Sequence, residues 1–325
     1  MPRLRNAAAC QKAVDTAMAW LEPHFDTGEE WSARPLPLLT YHKLPYLMSV
    51  RGHLEECRRA LSWIKANLMT ADGDLRAAPA DGKATVAQIR EKSWVALSAQ
   101  VSARYDISFA VARFLAHHQG GSTGAVYDVD ADGQRETTAD VRTTASAGLV
   151  FLATGRRREA RAAGRFLAGA IQSQTDHDRF YVRVDSLGRA VSRLPREQTG
   201  VVKSTRRGPE LSYLAVPIVF LTRLYLATDE AEWRDTAMDY FVFTEQFLKE
   251  SPDCPDSASM AWAAAALYSV TRRRVYYDSA ERLVQTWIDK QRSDGSWRVS
   301  RDEAENIALT TQTALCLLES LREAQ

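Results

Sequence analysis

The chain has 325 residues, 45% of them hydrophobic and 26% charged, which supplies ample apolar material for a large core. Its net charge of +1 excludes a global field that would draw it to nucleic acid or anionic lipid. Four scattered cysteines (Cys10, Cys57, Cys254, Cys316) form no Cys-x-x-Cys pair, which excludes a zinc ribbon or a disulfide framework, and no run approaches 18 apolar residues. The expected setting is therefore soluble, reducing and cytoplasmic, without integral membrane contact.

Apolar periodicity predicts helix after helix. Ala7–Pro23 is amphipathic and mixed in charge, as an outer helix would be, and an apolar helix over Leu38–Val50 carries Tyr41 and His42. His53–Leu68 reads as outer, Lys92–Arg104 as inner with Trp94, and Ile107–His118 as outer. Ala139–Ala153 is an inner helix opened by Asp140 and Arg142, and the arginines of Arg156–Gln172 form a solvated outer face. Leu211–Ala227, with Tyr213, is inner and Glu230–Lys249 outer. Ser257–Val270, with Trp262 and an alanine run that permits close helix approach, is inner; Arg273–Lys290 is outer and Ala304–Leu321 completes the inner set.

Connections from inner to outer helices are short, as at Arg51-Gly52 and Thr154-Gly155, whereas those from outer to inner are long and carry the Gly and Asp turns. Recurrence at roughly 40 to 55 residues signals a repeat architecture. Antiparallel hairpins that alternate apolar and amphipathic members close into a ring, so the expected fold is an all-α (α/α)6 toroid forming one domain over residues 1–325. Ala125–Thr137 and Phe180–Arg193 alternate about turn residues and read as small β-hairpin flaps over one end.

Between two of these helices lies Gln291–Trp297, QRSDGSW. Asp-Gly makes a tight turn, because glycine accepts positive φ and aspartate bonds the backbone beyond it. The glutamine can bond exposed backbone at a helix end, and the tryptophan packs over the next hairpin. This stretch resembles the repeat of the terpenoid cyclase and protein prenyltransferase toroid family. Asp140-Val141-Arg142-Thr143-Thr144 is similar to the segment that opens an inner helix in prenyltransferase β subunits. The resemblance spans the chain and implies a catalytic cavity at the mouth formed by the N-terminal ends of the inner helices.

Helix N-termini offer free N–H groups and partial positive charge. Candidate catalytic groups there are Asp140, Asp128, Asp130 and His42; candidate substrate-binding groups are Arg142, Trp94, Tyr213, Trp262, Tyr41 and Asp256. Asp128-Val-Asp-Ala-Asp-Gly133 reads as a turn, a cation loop, or a carboxylate cluster that keeps one member protonated. An EF-hand loop fails because its twelfth position is Ala139, and the Asp-x-Asp-Asp acid of class II cyclases is absent. Asp253-Cys254 stands where a prenyltransferase zinc site begins, but no histidine follows Cys254, and no DDxxD stretch exists for magnesium diphosphate. The expectation is therefore no metal and no organic cofactor.

The leading functional reading is a terpene-cyclase-like enzyme that cyclises, isomerises or rearranges a small, mostly apolar isoprenoid or polyketide-derived substrate in natural-product biosynthesis. A carbohydrate-active toroid (hydrolase, lyase or epimerase) using paired carboxylates is the alternative. A non-catalytic binding scaffold is the third, since fold does not fix function.

Overall fold

A computed structural model describes residues 4–25, 38–77, 85–129, 134–176, 179–191, 201–203, 210–250 and 254–324. In chain order its helices are α1 (Ala7–Leu21), α2 (Leu38–Tyr41), α3 (Leu44–Val50), α4 (Leu54–Asn67), α5 (Ile89–Val101), α6 (Tyr105–His117) and α7 (Val141–Ala153). Then come α8 (Arg157–Gln172), α9 (Ser212–Thr228), α10 (Ala231–Glu250), α11 (Ser257–Thr271), α12 (Arg274–Lys290) and α13 (Glu303–Glu323).

The pair α2/α3, then α5, α7, α9, α11 and α13, form an inner ring in which each packs on the next and α13 returns to α2 and α3. The amphipathic α4, α6, α8, α10 and α12 each lie outside the inner helix that precedes them. The sixth pair is built from the two ends of the described chain: α1 is the outer partner of α13. The expected (α/α)6 toroid is therefore present. Its inner wall is almost wholly buried, and in α11 the alanines Ala261 and Ala263–Ala266 let neighbouring helices approach closely.

One inner helix departs from expectation. The sequence predicts a continuous helix over Leu38–Val50, but the chain breaks at His42-Lys43, between α2 and α3. Pro45 explains the break, because its ring lacks an N–H and clashes with the carbonyl four residues back, that of Tyr41.

The long loops dock on the next outer helix. Gly73, Gly124 and Gly295 all have positive φ, and a Cβ on any of them would collide with a backbone carbonyl: Ala110 of α6, Ala162 of α8 and Thr16 of α1, respectively. A glutamine ties two of these turns down. Gln291 Nε2 donates to the Ala13 carbonyl (2.7 Å) and to that of Gly295 (2.9 Å), while Gln119 Nε2 donates to the Glu159 and Gly124 carbonyls (both 2.9 Å). Two residues after each glycine, a backbone N–H reaches a threonine of the inner helix: Val126 to Thr144 (3.1 Å) and Trp297 to Thr310 (3.0 Å). QRSDGSW is thus one copy of a recurrent clamp, and this copy joins α12 to α1 across the chain ends.

Strands are short and antiparallel: β1 (Arg76–Ala77) with β2 (Thr85–Val86), β3 (Thr138–Asp140) with β5 (Arg183–Asp185), and β4 (Arg179–Tyr181) with β6 (Val201–Lys203). The Phe180–Arg193 flap does turn at Gly188, with Val184 bridging Ala190, and Val129 bridges Arg135 in the other. The strand that follows the first flap, β3, pairs with β5 of the second, which the sequence does not foretell. No helix among the described residues is long and apolar enough to cross a membrane.

The clamp carries a prediction. Gly295→Ala combines a left-handed backbone penalty with a clash against α1 and should cost about 3 kcal/mol or more. Gly188→Ala has positive φ but open space around it and should cost about 1–2 kcal/mol. Urea midpoints compare the two; equal losses would mean that the close approach to α1 contributes nothing.

Candidate active site

The N-terminal halves of the six inner helices converge on one cavity of about 270 Å³. Leu39, His42 and Lys43 come from the broken first helix, Arg90 and Trp94 from α5, Arg142 and Ser146 from α7. Ser212 and Val216 come from α9, Asp256 and Trp262 from the start of α11, and Thr311 and Gln312 from α13; Glu210 joins them just before α9. Trp94 and Trp262 form an aromatic pair with ring centroids 6.1 Å apart.

The break at His42-Lys43 brings two titratable side chains to this mouth. His42 Nδ1 lies 2.8 Å from the Leu39 carbonyl, so the proton belongs on Nδ1 and Nε2 keeps its lone pair. Burial, then the charges of Lys43 and Arg90, hold His42 well below the ordinary imidazole range, which keeps it neutral. Lys43 is half-buried, with its ammonium 5.8 Å from the centroid of the Trp94 ring and touching the Gln312 amide oxygen. Gln312 is oriented from its other end, where Nε2 donates to Cys316 Sγ at 3.0 Å. No carboxylate among the described residues lies within 4.0 Å of the Lys43 ammonium. Removal from bulk water, then repulsion from Arg90, lowers Lys43 to about 7.

Two arginines flank the pair. Arg142 stacks on Tyr213, its guanidinium carbon 3.7 Å from the ring centroid, and donates to Ser212 Oγ at 2.9 Å, with Glu210 3.7 Å away. Arg90 lies 3.7 Å from Glu91; burial and then Arg142 lower its affinity for the proton, but a guanidinium stays charged at neutral pH. Against these cations stands Asp256, which accepts from the Ser212 N–H and is raised by burial.

Six shielded polar atoms of this wall have no hydrogen-bond partner among the described residues: His42 Nε2, Arg90 Nε, Arg142 Nε, Ser146 Oγ, Trp262 Nε1 and Thr311 Oγ1. Each such atom costs about 1–3 kcal/mol when left unpaired. Their gathering around one cavity marks a wall suited to a ligand rich in oxygens.

The structure brings His42, Arg142, Trp94, Trp262 and Asp256 together, as the sequence placed them. Tyr213 supports Arg142 from beneath rather than lining the cavity. Tyr41 turns away and packs near Phe25, with centroids 6.3 Å apart. Asp140 and Asp128 do not line the cavity, because helix ends consume their oxygens. Asp140 caps α7 by accepting from the Thr143 N–H (2.7 Å) and hydroxyl (2.6 Å). Asp128 accepts from Ile89 N–H at the start of α5 (2.7 Å) and lies 3.2 Å from the Thr143 hydroxyl; burial, then the charge of Asp140, pushes it up to about 6. Asp130 lies outside the described residues, as do Asp132 and Asp253, and no cluster of metal-ligating side chains occurs among those described. Sequence reasoning missed Lys43, Arg90, Ser146, Thr311 and Gln312. For Lys43 the signal was present: a lysine in an apolar helix, two residues before a proline.

No family model and no curated protein matches the chain. Solved structures do share its fold. A D-mannose isomerase is 12% identical, with 99% of each chain covered and a TM-score of 0.70. The type II terpene cyclase MstE from Scytonema, in complex with geranylgeranyl dihydroxybenzoate, is 10% identical over 98% of this chain and 99% of its own, at 0.65. A family 76 glycoside hydrolase from a bovine Bacteroides thetaiotaomicron strain is 13% identical over 95% and 77%, at 0.64. The chain therefore has the α/α toroid fold of terpene cyclases and of these sugar enzymes. Three chemistries on one fold leave the choice among them to the site.

Two predictions arise here. Asp140→Ala should cost about 1–2 kcal/mol through loss of the α7 cap, read from urea unfolding; no change would remove the capping role. Lys43 releases its proton near 7 when folded but near 10.4 when unfolded, so the unfolded chain binds more protons between those values and folding gains stability as pH rises. The unfolding free energy of wild type minus that of Lys43→Met should accordingly become more positive from pH 7 to 9, by up to about 1.4 kcal/mol per pH unit, so that the cost of burying the ammonium fades. A difference that stays constant would mean that Lys43 keeps an ordinary amine.

Proposed function

We propose that the protein is an enzyme acting on a small polyhydroxylated carbonyl compound of the aldose or ketose class, by removing the proton beside the carbonyl and returning it to isomerise or epimerise the substrate. The carrying observation is the set of six unpartnered polar atoms around a cavity lined by Lys43, Arg90 and Arg142. Hydroxyl groups satisfy such a wall; a hydrocarbon chain leaves it unsatisfied. At about 270 Å³ the cavity is also just below the roughly 300–1,000 Å³ usual for ligand sites.

In this reading His42 Nε2 is the base, neutral at working pH and oriented by the Leu39 carbonyl. Small adjustments of the mouth side chains bring Nε2 onto the substrate, as catalytic contacts commonly tighten on binding. Arg90 and Arg142 stabilise the enediolate oxygens as charge develops there. Trp94 and Trp262 offer apolar faces to the carbon side of the sugar. Paired carboxylates are not needed, and the two acids of the wall are otherwise engaged: Asp256 by Ser212 and Glu210 near Arg142.

Acid-promoted cyclisation of an isoprenoid is the second reading, favoured by the Trp94–Trp262 pair and by the raised Asp256. It is the weaker one, because three neighbouring cations oppose a carbocation.

The test is proton NMR in deuterium oxide with D-mannose, D-fructose and other common aldoses and ketoses. Deuterium should enter at the carbons flanking the carbonyl, His42→Gln should slow this by about 100-fold or more, and Arg142→Met by about tenfold or more. Absence of exchange with every sugar, or full activity in His42→Gln, would sink the proposal.

A further inference from the structure

We infer that Lys43 is a second reactive group of the cavity, whose amine adds to the carbonyl carbon of the bound compound and forms an imine. This rests on the reading that the cavity receives a carbonyl compound, and it assigns that compound a covalent step.

The argument begins with a contrast between two lysines withdrawn from water. Lys92, on α5, is fully buried with its ammonium 2.5 Å from the Asp74 carboxylate and 4.6 Å from the centroid of the Phe114 ring. It has the counter-charge that a structural ammonium requires. Lys43 has none within ion-pair distance among the described residues, although the interior of the toroid is no more hospitable to its charge. The groups that act on it are Arg90 and Glu91 on α5, Arg142 on α7, Asp256 at the start of α11, Cys316 on α13, and His42 beside it. Asp256 is already taken by Ser212, and the Cys316 thiol is pushed up to about 12 by burial and so stays neutral. Among the described residues the nearest cations thus oppose the ammonium with no matching anion in contact, and the ammonium touches a neutral amide oxygen, that of Gln312.

The backbone gives this amine its access. Lys43 stands in the break that Pro45 forces between α2 and α3, is not fully buried, and lines the cavity. An amine near 7 is about half unprotonated at neutral pH, whereas an exposed lysine near 10.4 has roughly one unprotonated amine in 10³ or fewer. Desolvation beside another cation is a known way to make a lysine nucleophilic.

The step balances without an oxidant or reductant. The Lys43 lone pair bonds to the carbonyl carbon, the π pair moves to oxygen, and that oxygen takes a proton while the nitrogen loses one, giving a carbinolamine. Arg90 and Arg142 stabilise the transient alkoxide. The hydroxyl then takes a second proton and leaves as water as the nitrogen lone pair forms the C=N bond of an iminium ion; release of the remaining nitrogen proton balances the one taken by the hydroxyl, so the net change is one amine plus one carbonyl to one imine plus one water. The imine acidifies the adjacent C–H, within the remit of His42 Nε2, and hydrolysis returns the free lysine.

The experiment uses the full chain with glycolaldehyde as the carbonyl probe and sodium cyanoborohydride at pH 7, followed by peptide mass mapping over time. The peptide bearing Lys43 should gain the reduced adduct about 100-fold faster than any other lysine, and ahead of the N-terminal amine. Lys43→Arg and Lys43→Met should lose that adduct, while His42→Gln, folded by circular dichroism, should retain it. Adducts spread over many amines with no excess at Lys43 overturn the inference. If sugars still exchange deuterium at full rate in Lys43→Arg and no Lys43 adduct forms, the imine is refuted while the carbonyl reading survives. A Lys43 adduct with no deuterium exchange upholds the imine and refutes the isomerase reading.

Discussion

The closed ring depends on how near the long loops come to the next outer helix. At Gly73, Gly124 and Gly295 the backbone lies against a helix carbonyl at a distance that admits no side chain. Glutamine amides then bridge loop and helix at two of these places. Each clamp fixes one hairpin against its neighbour, and the last fixes α12 against α1 and so joins the ends of the described chain. With the ring closed, all six inner helices run in one sense, and their N-terminal turns meet at a single mouth. The cavity is a consequence of that closure rather than a separate feature.

What the mouth can do is decided by a second backbone event, the proline break of the first inner helix. An unbroken helix from Leu38 to Val50 would satisfy its own backbone and distribute its side chains around the helix. Broken, it delivers His42 and Lys43 to the cavity together. The site is then governed by charge. Among the described residues that line it, Lys43, Arg90 and Arg142 outnumber Asp256 and Glu210, and burial with the repulsion of neighbouring cations drives Lys43 toward neutrality and keeps His42 unprotonated. Such a field favours intermediates with negative oxygen, enediolates and alkoxides, over carbocations.

The fold was legible in the sequence because most repeats carry the same signals: an apolar helix, a two-residue link, an amphipathic helix and a Gly-containing long loop, the connection Glu250–Asp256 being the one without a glycine. The pairing of β3 with β5 was not, since three-residue strands leave almost no pattern. Half of the site was legible for a simple reason: Arg142, Trp94, Trp262, Asp256 and His42 lie in or beside the first two turns of inner helices, which the ring topology directs to the mouth. Asp140 and Asp128 occupy the same kind of junction and were read the same way. A carboxylate at a helix start serves the free N–H groups there before it serves a ligand, and only coordinates distinguish the two uses. Arg90 falls ahead of the inner helix that the sequence predicts from Lys92, whereas the structure begins α5 at Ile89, and Gln312 lies mid-helix in α13, where the pattern does not tell a face toward the ring centre from one toward a neighbouring helix.

The most direct measurement is a crystal structure of the protein soaked with an open-chain polyol such as D-mannitol. Its hydroxyl oxygens should lie in the central cavity within hydrogen-bond distance of several of the six unpartnered atoms, His42 Nε2 and the Arg90 and Arg142 guanidinium groups among them. A polyol that leaves the cavity unoccupied while an isoprenoid alcohol of similar size fills it would contradict a site built for a polyhydroxylated carbonyl compound.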